Sequence, residues 1–217
     1  MATSPDLILY HAPRSRSGSV LTLLEELGVA YRPHVLDLQR NQQREPAYLA
    51  INPMGKVPAI AHQGTLVTEQ GAIFIYLTDL YPQAGLGPQL GDPQRGSWLR
   101  WLVFYGSSFE PALADRAAQH DPGPAVRCPY GDFDTMFATL EDQLGKGPYL
   151  LGERFSSADI LWAAALRWTT SFGVVPATAI ICAYIDRVCA RPSFKRAAQL
   201  DEQWLAEFAR ATSGSGS

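Results

Sequence analysis

The sequence predicts an α/β domain followed by an all-α helical domain, and three features of the 217-residue chain carry that expectation. Over residues 1–82, short apolar runs of strand length alternate with stretches of helical periodicity. Residues 83–92 are rich in Gly and Pro and read as a linker. Strand signals then fade, and helical spacing dominates residues 93–212. The closing Ser213-Gly214-Ser215-Gly216-Ser217 has the composition of a flexible tail or a cloning scar and is set aside from fold reasoning.

In the first domain, Leu7-Ile8-Leu9-Tyr10 reads as a buried strand. From Ser17 onward, Val20, Leu21, Leu24 and Leu27 recur at helical spacing, and Gly28 supplies the stop. A second strand over 31–36 contains Pro33, which cannot donate to a ladder and so belongs at a sheet edge. Strands over 57–61 and 66–68 flank His62-Gln63-Gly64-Thr65, the turn of a hairpin. A helix over 69–81 stops before Pro82. The order βαβ, a short helix, then ββα matches a thioredoxin-like domain.

In the second domain, Asp92-Pro93 is a cap followed by a first-turn proline. It opens a helix carrying Trp98, Trp101, Leu102, Val103, Phe104, Tyr105 and Phe109, more large apolar residues than one buried stripe uses. Further helices are expected over 131–144, 157–170, 177–189 and 193–211. Ser156-Ser157-Ala158-Asp159 is a capping box in its Asp form, a folding device rather than a site.

Composition narrows the class of function. With 47% hydrophobic and 18% charged residues the chain reads as a soluble globular protein, and a net charge of −3 recommends neither a nucleic-acid nor a membrane partner. No signal peptide is visible, and the longest apolar stretch, 172–185, is broken by Pro176 and too short to span a bilayer. Cys128, Cys182 and Cys189 are odd in number and form no C-x-x-C pair, which points to a reducing compartment, the cytoplasm. The histidines His11, His34, His62 and His120 lack ligand spacing, so no metal is expected.

The chemistry-bearing stretch is Met54-Gly55-Lys56-Val57-Pro58-Ala59-Ile60, followed by Thr68-Glu69-Gln70-Gly71-Ala72-Ile73. An X-Pro bond after a Gly-Lys turn, entering a strand, suits a cis peptide that turns the Val57 N–H and C=O outward. Such an edge pairs with an extended, peptide-like ligand. Glu69 and Gln70 open a helix, setting a carboxylate and an amide beside free N–H donors. An acid, a strand-like edge and helix-start donors together suit a zwitterionic amino-acid group. Upstream, Arg14-Ser15-Arg16-Ser17-Gly18-Ser19 opens the first helix, where free N–H groups and the macrodipole favour an anion. A hydroxyl and a guanidinium there would stabilise a bound anion further.

Taken in order, Gly55-Lys56-Val57-Pro58-Ala59, Glu69-Gln70-Gly71-Ala72-Ile73, Phe155-Ser156-Ser157-Ala158-Asp159-Ile160 and Arg191-Pro192-Ser193-Phe194 resemble the cytosolic glutathione transferases over nearly the whole chain, with the bacterial serine type the best fit. The resemblance implies a thioredoxin-like domain joined to an all-helical one, with glutathione as co-substrate. It implies a detoxifying homodimer that conjugates the glutathione thiolate to hydrophobic electrophiles. Val57, ahead of a cis Pro58, would pair with the cysteinyl backbone, and Glu69 and Gln70 would hold the γ-glutamyl end. Most members carry Ser where Gln70 stands. Lys56 is a candidate for the glycyl carboxylate, alongside its plainer role as an exposed turn lysine.

Counting back from Gly28, Ser17 falls at the activating hydroxyl of the serine type, with Arg16 where cysteine-type members place their cysteine. Tyr10 falls at the phenol of the tyrosine types and is the second choice. Ser17 as a plain helix cap and Tyr10 as a packed strand-end residue are the competing structural roles. Tyr105, Phe109 and Trp168, with Phe172 behind them, are expected to line the electrophile pocket, each also a candidate for helical core. Two other readings stay open: a non-catalytic binding protein on the same architecture, and a glutathione-dependent reductase or peroxidase. The latter asks for a cysteine near the first helix, where none stands.

Overall fold

The computed structural model describes residues 6–213; residues 214–217 of the closing Ser-Gly run lie outside them. By packing, the chain forms two compact units, one running to Ile73 and resuming at Arg191, the other spanning Phe74–Ala190.

The first unit is built on four strands, β1 (Leu7–His11), β2 (Arg32–Val35), β3 (Ala59–His62) and β4 (Thr65–Thr68), in the order β2-β1-β3-β4. β1 runs parallel to β2 and antiparallel to β3, and β3 runs antiparallel to β4. Pro33 sits in β2, an edge strand, as its missing donor requires. The β3–β4 turn places Gln63 at φ 50° and Gly64 at φ 79°. Positive φ at both central residues is the tight hairpin turn whose twist matches the strands it joins.

Strand alternation divides the sheet into two faces. Leu7, Leu9 and His11 share one face, where α1 (Ser17–Leu27) packs with buried Val20, Leu21 and Leu24. Ile8 and Tyr10 point the other way, into a cluster with Leu36, Ala59 and Tyr48 of the short α2 (Pro46–Leu49). Each fully buried leucine here contributes about 1.5–3 kcal/mol of transfer free energy. α1 stops at Gly28, which takes φ 64° and donates its N–H to the Leu24 carbonyl. α3 (Gln70–Leu80) follows β4.

The last helix, α9 (Pro192–Ser213), lies far from this unit in sequence and belongs to it in packing. The helical spacing of the sequence places it in the all-helical domain, 93–212. Its stripe of Phe194, Ala197, Asp201, Trp204 and Phe208 recurs at three- and four-residue spacing against α1 and β1. At its start, Arg191 and Ser193 close on Glu26 of α1: Arg191 Nε donates to Oε1 at 3.0 Å and Ser193 Oγ to Oε2 at 2.5 Å.

The second unit holds α4 (Arg95–Phe104), α5 (Glu110–Ala118), α6 (Phe133–Leu144), α7 (Ser157–Ser171) and α8 (Ala179–Cys189). Asp92 does not cap α4. Its carboxylate accepts from Gln94 N–H and from Arg154, and the helix begins at Arg95. The sequence reading did not foresee α5, which a wide helical turn over Tyr105–Phe109 joins to α4. The apolar surplus of α4 fills its own unit: Trp98, Trp101, Leu102 and Tyr105 are buried, and the Trp162 ring meets Trp101 edge-on at 5.8 Å. Only Val103 of that group is exposed. The capping box at α7 forms as expected, and Asp159 accepts from Ser156 N–H, Leu150 N–H and Tyr184 Oη.

Burial works to raise the Glu26 carboxyl, but the hydrogen bonds from Arg191 and Ser193 outweigh it and hold the group below the ordinary glutamate range. A carboxyl depressed in the folded state stabilises the fold above its unfolded pKa, and that contribution fades as pH drops below about 4.3. Glu26→Gln should lower unfolding free energy near neutral pH by about 1–2 kcal/mol, Arg191 being partly screened by solvent. Denaturant titrations near neutral pH and again below about pH 4 should also show less acid sensitivity in the variant than in wild type; equal acid sensitivity would contradict the assignment.

Candidate functional site

The Val57–Pro58 bond is cis, and among the described residues the Val57 backbone N–H and C=O meet no backbone partner. The turn leading to it is rigid. Tyr48 Oη and Asn52 Nδ2 both donate to the Lys56 carbonyl, at 2.7 and 2.8 Å. Gly55 stands at φ 60°, where an added Cβ would lie 2.8 Å from the Gln43 carbonyl oxygen. That position admits only glycine. The Lys56 side chain is exposed.

Glu69 is held at φ 65°, in the left-handed region, with its side chain exposed. A non-glycine residue there is strained by about 1–3 kcal/mol. Its carbonyl accepts from the Ile73 N–H, so among the described residues the N–H groups of Gly71 and Ala72 are open donors in the first turn of α3. Gln70 departs from its expected role. Its Nε2 reaches back to α1, donating to the Arg16 carbonyl at 3.1 Å and to Ser19 Oγ at 2.9 Å. The side chain thus ties the starts of α1 and α3 together.

The two candidate hydroxyls, Ser17 and Tyr10, are both enclosed. Ser17 is fully buried. Its Oγ lies 2.8 Å from His11 Nδ1, accepts from the Ala12 N–H at 3.0 Å and sits 2.7 Å from Ser15 Oγ. That hydroxyl is enclosed by its own chain, because the first turn of α1 folds it back over the end of β1. Tyr10 is also enclosed, on the opposite sheet face, with its ring centroid 5.7 Å from that of Tyr48. The hydroxyl that is partly open is Ser15, which sequence counting passed over. Arg16, the residue before α1, is exposed.

Two further residues belong to this end of the site. His11 is fully buried, and its Nε2 lies 2.8 Å from Asp201 Oδ1 on α9. Asp201 Oδ2 also accepts from the N–H of Arg14, which stands at φ 57°. Trp204 packs on the imidazole with centroids 5.1 Å apart. The signal for Asp201 was present in the sequence: an acid inside an apolar helix stripe needs a partner.

The expected pocket aromatics separate. Tyr105 and Phe109 are buried around Trp162, and Tyr105 Oη donates to Glu110. Trp168 is about half exposed and lies 5.0 Å from the exposed Phe172 ring. Among the described residues, no group of three or more His, Cys, Asp or Glu side chains is arranged to hold a metal ion.

Ser17→Ala should lower unfolding free energy by about 1–3 kcal/mol, because it strands the buried Ala12 N–H and His11 Nδ1. Ser15→Ala, at a partly open position, should cost less. Urea denaturation of both variants measures the difference, and a Ser17→Ala protein as stable as wild type would contradict the hydrogen-bond assignment.

Residues 5–79 match the N-terminal domain of glutathione S-transferases, and residues 130–184 match their C-terminal domain. Glutathione S-transferase F10 of Arabidopsis thaliana is 30% identical over 168 residues, covering 71% of this chain and 77% of its own length. The disulfide-bond oxidoreductase YfcG of Escherichia coli K12 is 27% identical, covering 90% of this chain and 97% of its own. A solved sphingomonad glutathione S-transferase complexed with glutathione superposes with a TM-score of 0.75 at 28% identity, over 90% of this chain and 98% of that one. An outward backbone edge at Val57, a strained acid heading α3 and matches at both ends of the chain agree: this protein belongs to the glutathione S-transferase family.

Proposed function

We propose that the protein binds glutathione and ionises its thiol for attack on a hydrophobic electrophile. The observation that carries this reading is Glu69, held in the left-handed region beside the open donors of α3. Strain of that kind persists where the backbone must present a group, here a carboxylate for an α-ammonium with N–H groups for the α-carboxylate. The free edge at Val57 supports pairing with the cysteinyl backbone, and the sphingomonad relative solved with glutathione supports glutathione as the ligand. Lys56 is exposed beside that edge and suits the glycyl carboxylate.

With the cysteine in this register, the sulfur lies toward the start of α1. There the dipole and a hydroxyl donor stabilise a thiolate, and Ser15 now stands ahead of Ser17 for that role. Trp168 is the remaining aromatic for an apolar co-substrate. The assembly we propose, a homodimer, rests on the family relation, since the apolar residues of α4 are used within their own unit. A cytoplasmic location and a detoxifying role rest on the sequence reading; among the described residues no helix is long and apolar enough to cross a membrane.

A second reading, thiol–disulfide exchange with glutathione, is favoured by the oxidoreductase named among the relatives. The protein's own cysteines do not support it. All three lie in the second unit, and burial pushes the Cys189 thiol up to about 11. Replacing Cys128, Cys182 and Cys189 together should leave glutathione conjugation to a chromogenic aryl halide within about twofold, apart from packing losses. Loss of conjugation in a variant with a native circular dichroism spectrum would move the chemistry to a cysteine.

Glu69→Gln separates binding from helix capping. It keeps the shape and removes the charge, so calorimetric titration should show glutathione affinity reduced by about 1.5–3 kcal/mol, with little change in the melting temperature of the free protein. An unchanged dissociation constant would remove Glu69 from the site.

A further inference from the structure

The end of β1, the start of α1 and the middle of α9 form one continuous hydrogen-bonded chain. Asp201 Oδ1 meets His11 Nε2 at 2.8 Å, His11 Nδ1 meets Ser17 Oγ at 2.8 Å, and Ser17 Oγ meets Ser15 Oγ at 2.7 Å. His11 and Ser17 are fully buried, while Ser15 is partly open at the outer end. An ionised carboxylate only accepts, so Nε2 carries the proton it shares with Asp201. In the neutral ring Nδ1 is then a lone pair, and the hydroxyl in reach to donate to it is that of Ser17. Ser15 can donate to the Ala12 carbonyl at 2.8 Å or, by rotating its O–H, to Ser17.

We propose that His11 is the internal proton acceptor for the bound thiol, reached through Ser15 and Ser17, with Asp201 holding its tautomer and stabilising the imidazolium. This rests on the reading that glutathione binds with its sulfur at the start of α1. The S–H bond breaks and its proton passes to Ser15 Oγ. The Ser15 hydroxyl proton moves to Ser17 Oγ, and the Ser17 proton moves to His11 Nδ1. The sulfur keeps the electron pair. Both serines stay neutral, and each O–H ends turned toward the sulfur, so the relay leaves Ser15 donating to the thiolate it has produced.

A carboxylate that orients a histidine and stabilises its charged form is a known device for directing a proton through a serine hydroxyl. Here the hydroxyls conduct rather than attack. The other charged groups near the pair are Glu202 on α9 and Arg14, whose guanidinium pairs with Glu202 at 3.1 Å and whose N–H meets Asp201. α1 faces His11 with the uncharged Ser17, and β2 sets Val35 opposite it in register.

The relay predicts where the proton goes. Glutathione should be titrated calorimetrically into the full chain near neutral pH in buffers of different ionisation enthalpy, with thiolate counted in parallel by ultraviolet difference absorbance. Wild type should form thiolate while releasing far less than one proton per thiolate. In Asp201→Asn, and in Ser15→Ala, which breaks the chain at its open end and leaves the His11–Asp201 contact in place, the pH profile of kcat/KM should move upward and activity on its acid side fall about tenfold or more. Affinity for S-methylglutathione, which has no proton to give, should hold in Ser15→Ala. One full proton released per thiolate by wild type would overturn the relay and leave glutathione activation standing, as would pH profiles of both variants superposing on wild type. Absence of glutathione binding by wild type would remove both.

Discussion

The Asp201 carboxylate accepts from His11 Nε2 and from the Arg14 N–H at once, and these two bonds fasten α9 to the loop in which α1 begins. The bond to His11 is charge-assisted and partly withdrawn from water, a class worth about 1.5–3 kcal/mol, and removing the acceptor would leave Nε2 of the buried imidazole without its partner. Arg14 takes its left-handed backbone there, and the following turn folds Ser15 and Ser17 over the end of β1. At the other end of the pair, Arg191 and Ser193 grip Glu26. The start of α1 is therefore positioned by a helix that comes from the far end of the sequence.

The other half of the site is positioned locally. The Gly55 turn, the Tyr48 and Asn52 donors to the Lys56 carbonyl and the Glu69 backbone all come from residues within about two dozen positions of one another. Gln70 couples the halves, its amide bridging the first turns of α3 and α1. A Ser at that position would lack the reach for both contacts. The departure from the usual family residue thus has a structural use in this chain while its backbone N–H stays at the head of α3.

Much of this was legible in the sequence because it is encoded locally. The Pro33 edge strand, the Gln63-Gly64 turn, the Gly28 stop, the Ser156–Asp159 capping box and the Val57–Pro58 corner each depend on residues adjacent in the chain. What escaped is set by partners distant in sequence. Ser17 matched a family position by counting, yet whether its hydroxyl is open depends on His11, and His11 is completed by Asp201, 190 positions away. Tyr105 and Phe109 read singly as helical core and as a group with Trp168 as pocket, and their burial against Trp162 of α7 depends on a residue more than fifty positions away. α9 reads as one more helix of the all-helical stretch, and its packing on α1 and its Asp201 contact to β1 join residues far apart in sequence.

The most direct test of the central claim, that a peptide edge and a helix start together hold glutathione with its sulfur at the head of α1, is a crystal structure of the protein with glutathione bound. The account predicts the cysteinyl backbone paired with the Val57 N–H and C=O, the γ-glutamyl group against Glu69 and the first turn of α3, and the sulfur within about 3.5 Å of Ser15 Oγ. A tripeptide seated away from Val57, or a sulfur turned away from the start of α1, would contradict it.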